Sequence, residues 1–511
     1  MTTTCIRHTE LPNTSRLFAD LVYHFDQVSS FYAHAPYDPE SFAAAAKQIQ
    51  YPPERRAAMV AALVEQNPGN PSLEVLAREG AVAVVTGQQV GLFSGPCYSV
   101  FKALSAIRLA ENLTAQGIPA VPVFWLATED HDLVEINQAW VFSAGHEVVG
   151  LQTAAANPLG GPVGPIPVGE APLEELAAAL NGLPFADEVM AMVRECYAPG
   201  ATFGSAFRAL AQKLLAKWPI LFLDPLAPAI RAIGAPLLEQ VAAQAPDLNA
   251  ALLGRNQELA AAGYHAQVHV EADSSLLFSL EGGKRTPWKG TSIDDTNLLS
   301  PNALLRPVLQ DFLLPTVAYF GGPAELAYFA QSQVLYQKLL GRMPVMLHRA
   351  GFTLLDDRTA KILNHYGLAV VDTLTHETGL HERLAAKLIP AGITEKVATL
   401  RANLGSEVEA LFADVRALDP TLEKVLAKGS AKMIYQLGKM ERKTARQALR
   451  RDEQAQRQAQ YLHHSLYPHR HMQERFYSIL PFLAQHGPDL IERIYEHVEV
   501  GCPDHQVLPI H

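Results

Sequence analysis

The chain has 511 residues, of which 49% are apolar and 18% charged, proportions typical of a globular protein. Its length exceeds what one hydrophobic core fills, so we expect two or three structural units. The net charge of −11 argues against nucleic acid or an anionic membrane surface as the main partner.

The cysteines and the first residues also narrow the classes of protein. Cys5, Cys97, Cys196 and Cys502 lie far apart and form no C-x-x-C pair, so neither a disulfide scaffold nor a thiolate zinc site is predicted. The first residues lack the apolar core of a signal peptide, and no run of about 18 apolar residues is present. We therefore expect a cytoplasmic protein.

Residues 1–80 are predicted to form an N-terminal helical layer of the core. Ser15 is a suitable N-cap for the first helix. Pro52 and Pro53 open a second helix, which the pair Pro68-Gly69 closes.

Residues 81–150 form the first half of the predicted core. The valine-rich run Ala81–Val85 is typical of a strand that is buried on both faces. A loop with three glycines spans 86–96, and Pro96 suits the first turn of the helix that follows. Val121–Ala127 gives a second buried strand. Ligands bind at the carboxyl ends of strands in open parallel sheets, so this unit predicts a binding site.

The residues of that site follow the two strands. The second strand ends in ionisable side chains, and we interpret Asp130, His131 and Asp132 as catalytic. The glycine loop matches neither the dinucleotide nor the P-loop fingerprint, and tight packing is the alternative explanation of its glycines. A helix N-terminus beside amide and hydroxyl groups nevertheless suits a phosphate or carboxylate. The predicted binding residues of this unit are Thr86, Gly87, Gln88, Gln89, Gly91, Ser94, Gly95, Lys102 and Glu129.

Residues 151–217 are predicted to be an inserted connecting segment, and 218–375 the second half of the core. The insertion begins with an irregular stretch rich in Gly and Pro and then returns to helix. The second half opens with the strand PILFLDP, and the segments QVHV and SLLFSL are predicted to be paired short strands. The alternation of strands and helices predicts an α/β fold.

A basic cluster lies in the segment GGKRTPWKG, which holds Lys284, Arg285 and Lys289. We favour a solvated hairpin loop, because charges in Gly-rich turns usually face water. The alternative is a mobile basic loop that closes over a phosphate or carboxylate.

The segment 304–336 repeats the order of elements seen in residues 81–150: a strand, a glycine turn, a proline and then a helix. Arg306 and Gln310 fall on one face of a helical turn. A predicted strand ends at Gly321-Gly322-Pro323, and Glu325 and Tyr328 lie in the first turns of the next helix. Glu325 could simply stabilise the helix dipole, but its place beside Arg306 favours ligand contact. The predicted binding residues here are Arg306, Gln310, Gly322, Glu325 and Tyr328. PVMLH, a helix and the strand LAVVD complete the predicted core.

Residues 376–462 are predicted to form a coiled-coil arm. Apolar residues recur there at spacings of three, four and seven, among them Leu400 and Leu411. Asp419-Pro420 breaks the pattern, so we predict two antiparallel helices. One such hairpin has little core of its own, and a second copy in a homodimer is the natural partner.

Residues 463–511 are predicted to pack back on the core. The stretch HHSLYPHRHM contains His463, His464, His469 and His471. No carboxylate or cysteine joins these histidines locally, so no metal site is predicted.

Four segments resemble the cysteine ligases of bacillithiol biosynthesis, the BshC family: TGQQVGLFSGPCYSVFKALSAI, VFWLATEDHD, LLRPVLQDFLLPTVAYFGGPAELAYFAQ and LYPHRHMQERFYSILPFL. The resemblance covers most of the chain, from about Leu17 to Val498. It implies a Rossmann-like parallel-sheet core with inserted segments, an α-helical antiparallel coiled-coil arm and a homodimer. It also implies an activity, the joining of cysteine to glucosaminyl malate as the last step in making the thiol bacillithiol.

That activity implies ATP, because amide formation in water requires an activated carboxylate, either an adenylate or an acyl phosphate. His131 is then the candidate general base, since histidine is the side chain that titrates nearest neutral pH. Asp130 and Asp132 are candidates to orient it, to hold the glucosamine amine or to bind Mg²⁺ that arrives with ATP. Arg306 suits the carboxylates of malate or cysteine.

Two other functions fit the same pattern. The first is a nucleotidyltransferase on this α/β core, which would release pyrophosphate without forming an amide. The second is a non-catalytic, nucleotide-binding adaptor whose coiled-coil arm carries the function. For the ligase, the predicted partners are the small-molecule substrates cysteine and glucosaminyl malate and a second copy of the chain bound through the coiled-coil arm, without nucleic acid or membrane.

Overall fold

The computed structural model describes residues 3–271, 274–290 and 295–510. They divide into two compact units, one formed by Met1–Leu354 with Glu474–His511 and the other by Leu355–Gln473. Within the described ranges, no helix combines the length and the apolar character that a membrane span requires.

The strands, in chain order, are β1 Thr4–Ile6, β2 Val82–Gln88, β3 Ala120–Leu126, β4 Gln138–Phe142, β5 Val148–Gln152, β6 Leu221–Leu223, β7 Leu277–Ser279, β8 Thr286–Pro287, β9 Leu299–Pro301, β10 Thr316–Gly321, β11 Val345–His348, β12 Gly351–Leu355 and β13 His505–Pro509.

The helices, in chain order, are α1 Arg16–Tyr23, α2 Pro39–Lys47, α3 Pro53–Val64, α4 Ser72–Leu76, α5 Tyr98–Ala115, α6 Leu133–Ile136, α7 Leu173–Leu180, α8 Ala186–Cys196, α9 Phe203–Leu214, α10 Pro228–Ala261, α11 Arg306–Leu313, α12 Pro323–Leu339, α13 Asp357–Tyr366, α14 Val370–Thr373, α15 Glu377–Lys387, α16 Ala391–Leu418, α17 Glu423–Arg451, α18 Glu453–Leu466, α19 Gln473–Phe476, α20 Leu480–His486 and α21 Leu490–Glu496.

A five-stranded parallel sheet organises the first unit, in the order β11-β10-β2-β3-β6. The chain starts at the central strand β2, runs outward through β3 to β6, and then returns to the other side of β2 with β10 and β11. This reversal makes the sheet doubly wound and confirms the predicted Rossmann-like core. The reversal lies between β2 and β10.

The central strand is buried on both faces, as its continuous apolar run predicts. Ala83 and Val85 pack into the apolar cluster that contains residues of α1, α10 and α12. Val82 and Val84 point the other way, into a cluster with residues of α2 and α5. Because successive side chains of a strand point to opposite faces, β2 contributes to two separate apolar clusters.

The capping signals of the sequence also hold. The Ser15 side chain accepts a hydrogen bond from Phe18 N at the start of α1, and α3 begins at Pro53. The helix after the glycine loop, however, begins at Tyr98 with Cys97 as its N-cap, so Pro96 lies just before the helix and not, as predicted, in its first turn.

The inserted and C-terminal segments share a core with the main sheet. Helices α7, α8 and α9 pack with the antiparallel hairpin β4–β5 and with α20 and α21 in one apolar cluster. The end of the chain also forms a strand, β13, which pairs with β1 in antiparallel register. Neither β1 nor β13 was predicted, and His505 is buried within β13.

The second unit contains a helical hairpin that breaks at Asp419-Pro420. The Asp419 side chain accepts a hydrogen bond from Thr421 N and so caps the turn between α16 and α17. Arg401 on α16 donates to Glu441 on α17 at 3.0 Å. The unit is longer than the predicted arm 376–462 and spans 355–473, because α13 and α14 contact α18.

Two predicted strands are wrong. The segment QVHV is irregular, because the side-chain amide of Gln331 takes the place of a neighbouring strand: it accepts from Val268 N and donates to Val268 O, both at 2.8 Å. The segment LAVVD forms the short helix α14 instead, since the Asp372 carboxylate accepts from Ala369 N and caps the turn. Strand β7 lies within SLLFSL but pairs with β8 and β9.

Candidate active site at the carboxyl edge of the sheet

The predicted residues come together where β2, β3 and β10 end. Gln88 ends β2, Leu126 ends β3 and Gly321 ends β10, and these strands are neighbours in the sheet. The crevice between β2 and β10 is the point where the strand order reverses. Doubly wound sheets bind their ligands at this position.

An ion pair with a buried lysine joins the two sides of the crevice. Lys102, on α5, is only 1% exposed and donates to Gly87 O at 2.8 Å, to Gln88 Oε1 at 2.9 Å and to Glu325. Glu325, on α12, also accepts from Gly322 N at 2.8 Å and from the Tyr319 hydroxyl at 2.9 Å. The pair therefore ties the segment after β2 to the start of the helix after β10.

The protonation states of this pair follow from burial and from each other. Burial alone would raise the pKa of Glu325, but Lys102 and the Gly322 N–H hold that pKa below its ordinary value. Burial lowers the pKa of Lys102, and the Glu325 carboxylate opposes that shift. We take the pair as ionised, since both Glu325 oxygens accept hydrogen bonds.

The loop between β2 and α5 has an unusual backbone. Phe93, Ser94 and Gly95 have successive φ values of 51°, 72° and 63°, a region that side chains other than glycine rarely occupy. A Cβ on Gly91 would lie 3.1 Å from Gly95 Cα. The hydroxyls of Ser94 and Ser99 are buried and have no hydrogen-bond partner among the described residues. Backbone strain of this kind concentrates at functional sites.

Thr86 and Gly87, near the end of β2, have packing roles. The Thr86 hydroxyl is fully buried and donates to Phe320 O on β10 at 2.9 Å. A Cβ on Gly87 would lie 2.9 Å from Trp125 O on β3. Both residues hold the strands of the crevice together.

Arg306 forms a second polar group beside the crevice. Its guanidinium donates to the Tyr328 hydroxyl at 2.9 Å and to Gln310 Oε1 at 3.2 Å. Gln310 is buried and donates in turn to Asp311, whose pKa burial raises. The hydrogen-bonded Tyr328 and the nearby Tyr319 ring favour the charged form of Arg306 and raise its pKa, although burial opposes this.

An acidic cluster follows β3. Gln89 Nε2 lies 2.7 Å from both Asp130 Oδ2 and Glu135 Oε2, so one amide group binds two carboxylates. Asp132 caps α6 by accepting from Glu135 N at 3.1 Å. Burial, with Asp130 and Asp132 close by, raises the pKa of Glu135.

His131 lies at the exposed side of this cluster. Its Nδ1 is 3.3 Å from Asp130 Oδ1 and 3.3 Å from a guanidinium nitrogen of Arg285, and its side chain is 55% exposed. Asp130 thus contacts the imidazole directly, an arrangement that can orient a general base.

Glu129, at the start of the acidic run, forms an ion pair with a residue of α10. It accepts from Arg231 on α10 at 2.8 Å, and both side chains are 10% exposed. Burial raises the pKa of Glu129, and Arg231 and Arg285 oppose this shift. Arg231 also donates to Asn297 O and Leu299 O, so the ion pair fixes this strand end.

The sequence missed several residues of the site. Arg285 was predicted to lie in a solvated loop, but its guanidinium stacks over Phe278 at 3.8 Å, donates to Pro301 O and faces His131. No local signal marks these polar contacts, since Pro301 is 16 residues away and His131 is 154 residues away. Glu135 could have been found, because it lies three residues after the helix cap Asp132.

Among the described residues, no three His, Cys, Asp or Glu side chains are grouped so as to hold a metal ion. In the histidine-rich stretch, His463 lies in the last turn of α18, where burial lowers its pKa.

The fold defines an α/β protein with a doubly wound parallel sheet, and its crevice lies at the switch point, where sheets of this class bind their ligands. The family model described as "Bacillithiol biosynthesis BshC, N-terminal Rossmann-like domain" matches residues 1–295 and 291–350. The model of the "C-terminal coiled-coil domain" of the same family matches residues 352–510. The chain belongs to the BshC family of bacillithiol biosynthesis, which confirms the resemblance.

Relatives named "Putative cysteine ligase BshC" align along almost the whole chain. The protein of Solibacter usitatus is 50% identical over 99% of both chains. The protein of Koribacter versatilis is 36% identical over 99% of both. The protein of Symbiobacterium thermophilum is 33% identical over 87% of this chain and 88% of its own.

Proposed function

We propose that this protein is a ligase that joins the carboxylate of cysteine to the amine of glucosaminyl malate and so forms bacillithiol. The observation that carries the proposal is the juxtaposition of Asp130 and His131 with the Lys102–Glu325 pair at the switch point, in a chain whose relatives bear the name of cysteine ligase. The cytoplasm is the compartment we propose for it.

The reaction needs an activated carboxylate, and we propose ATP as the co-substrate that supplies the activation, through an adenylate or an acyl phosphate. Three features fit an anionic group: the N-terminus of the 18-residue helix α5, and beside it the hydroxyls of Ser94 and Ser99, for which the described part of the chain offers no hydrogen-bond partner. Mg²⁺ would arrive with ATP, and Asp130 and Asp132, the residues on either side of His131 in the sequence, are its candidate ligands.

His131 acts as the general base in this proposal. This role requires that Nδ1–H face Asp130, so that the lone pair of Nε2 takes the proton of the attacking amine. Arg285, whose guanidinium N–H lies 3.3 Å from the same Nδ1, must then turn to another acceptor. Asp130 would hold the ring in that tautomer, and Gln89 holds Asp130 in place at 2.7 Å.

Substitutions at three positions test this assignment. His131→Ala and Asp130→Asn should each fold, keep much of their affinity for the substrates, and lose about 10²- to 10⁴-fold in turnover. Asp132→Asn preserves the helix cap, because asparagine caps as well as aspartate, so a loss of turnover in that variant reports on charge alone. Near-normal turnover in all three variants would show that the cluster is structural.

We also propose a homodimer through the arm. Helix α16 contains no buried residue, and Leu400 and Leu411 on it are each 51% exposed. Met440 and Val425 on α17 are 64% and 67% exposed. A row of exposed apolar side chains along a helical hairpin needs a partner surface, and a second hairpin of the same kind supplies one.

Sedimentation tests the dimer. Leu400→Glu combined with Leu411→Glu should shift the protein toward monomer, because a carboxylate buried in an apolar seam costs several kcal/mol unless it is neutralised. Val64→Glu with Leu159→Glu adds the same charge at exposed apolar positions of the other unit, and is the control. An unchanged dimer in the Leu400 and Leu411 variant would refute the assignment.

A further inference from the structure

Arg475 lies beside the crevice and belongs to none of the groups described above. It is an exposed residue of the short helix α19, and its guanidinium lies 5.7 Å from the centre of the Tyr98 ring. Tyr98 is the first residue of α5. The side chains of Arg349 and Lys102 lie 5.1 Å and 5.7 Å from the same ring centre, so three cations surround one aromatic side chain.

Two of these three cations are neutralised by carboxylates. Lys102 pairs with Glu325. Arg349 binds Glu474 through both of its terminal nitrogens, at 2.8 Å and 2.6 Å, with the two side chains 2% and 5% exposed. Arg475 has no carboxylate within ion-pair distance in the part of the chain that the structure describes. One positive charge at this place is therefore uncompensated, and it faces solvent.

A short chain of contacts connects Arg475 to the crevice. Gln88 Nε2 donates to the Tyr98 hydroxyl at 3.1 Å, and Gln88 Oε1 accepts from Lys102 at 2.9 Å. The Ser99 hydroxyl, buried and unpartnered, lies in the same first turn of α5. An anion bound near Arg475 would thus lie within one side chain of the end of β2.

We propose that Arg475 is a specificity-determining residue that binds a carboxylate of the malate part of the substrate. This inference rests on the proposed function. Glucosaminyl malate carries two carboxylates that do not react, and they need two cationic groups. Arg306 is one candidate, but Tyr328 and Gln310 already occupy part of its guanidinium. The guanidinium of Arg475 pairs with no carboxylate of the described residues. The planar guanidinium of arginine can bind a carboxylate through two parallel hydrogen bonds.

The test compares substrates with and without the malate carboxylates. In Arg475→Ala, the KM for glucosaminyl malate should rise about 10- to 100-fold, the range expected for one charge-assisted hydrogen-bonded pair, whereas the KM values for cysteine and ATP stay within twofold. The rate with methyl glucosaminide, which lacks both carboxylates, should not change. Arg475→Lys should recover part of the affinity, because it restores the charge without the fork.

Arg7→Ala is the matched control, since Arg7 is also an exposed arginine stacked over a tyrosine, 4.4 Å from the Tyr23 ring. Equal KM values for glucosaminyl malate in wild type and Arg475→Ala, or an equal loss with methyl glucosaminide, would overturn the inference. If the wild-type chain forms no amide at all, the proposed function fails. Calorimetry with malate then decides about Arg475 independently: wild type should bind it and Arg475→Ala should not, and equal heats would refute the role.

Discussion

Replacing Lys102 by methionine removes one half of the buried pair that joins the two sides of the crevice. The Glu325 carboxylate then keeps its hydrogen bonds from Tyr319 and Gly322 but loses its counter-charge. Removing one partner of a buried ion pair costs about 3–5 kcal/mol. We expect the lower end, about 3 kcal/mol of unfolding free energy at pH 7, because the Glu325 side chain is 24% exposed.

Tryptophan fluorescence during urea unfolding measures this loss of stability, because it reports on the structural unit that contains Lys102. The four tryptophans, at positions 125, 140, 218 and 288, all belong to the first unit, which also contains Lys102. Lys102→Met combined with Glu325→Gln should recover most of the lost stability, since glutamine still accepts from Gly322 N and no charge remains unpaired. Lys213→Met, which removes an exposed lysine of the same unit, should change little.

The pH dependence of stability gives an independent check that the ionised pair stabilises the folded state. The folded pKa of Glu325 is depressed, so the pair stabilises the wild type above pH 4.5 and this contribution is lost as pH falls through the folded pKa. The stability difference between wild type and Lys102→Met should therefore shrink on acidification. A loss below about 1 kcal/mol at pH 7, or a double variant no more stable than the single one, would refute the argument.

Other substitutions test the surrounding structure. Glu474→Gln should lower unfolding free energy by about 3–5 kcal/mol at pH 7; because the guanidinium partner holds the pKa of Glu474 at about 2 despite burial, the wild-type advantage should fade between pH 4.5 and 2 in urea titrations. Gly87→Ala should lower the melting temperature, since its Cβ would lie 2.9 Å from Trp125 O, whereas Gly254→Ala, with open space in α10, should raise it slightly. Gly95→Val should abolish substrate binding in calorimetry while circular dichroism shows a folded chain, because Gly95 has φ 63° and lines the loop; unchanged binding would assign Gly95 to packing alone.

The parallel core was predictable because its signals are local. The apolar run of β2, the proline that starts α3 and the glycine turn before α12 each lie within a few residues of the element they define. Gln88, Lys102 and Glu325 were each predicted to contact a ligand, and they lie together because parallel strands end at the same edge of a sheet. The ion pair between Lys102 and Glu325 was not predicted.

The errors arose where distant contacts decide the local structure. QVHV has the composition of a strand, but the amide of Gln331, 63 residues away, satisfies the Val268 backbone. LAVVD is too short for its apolar pattern to separate a strand from a buried helical turn. β1 depends on pairing with β13 at the other end of the chain, and Arg285 reaches His131 across 154 residues. Pairing over such separations leaves no periodic trace in one sequence.

The central claim is that the crevice forms the amide bond of bacillithiol. The most direct measurement incubates the purified protein with cysteine, glucosaminyl malate and ATP, and follows bacillithiol by mass spectrometry beside the His131→Ala variant. The account predicts ATP-dependent bacillithiol with the wild type and a loss of at least about 10²-fold with His131→Ala. The absence of bacillithiol with the folded wild type, or pyrophosphate release without the amide, would contradict it.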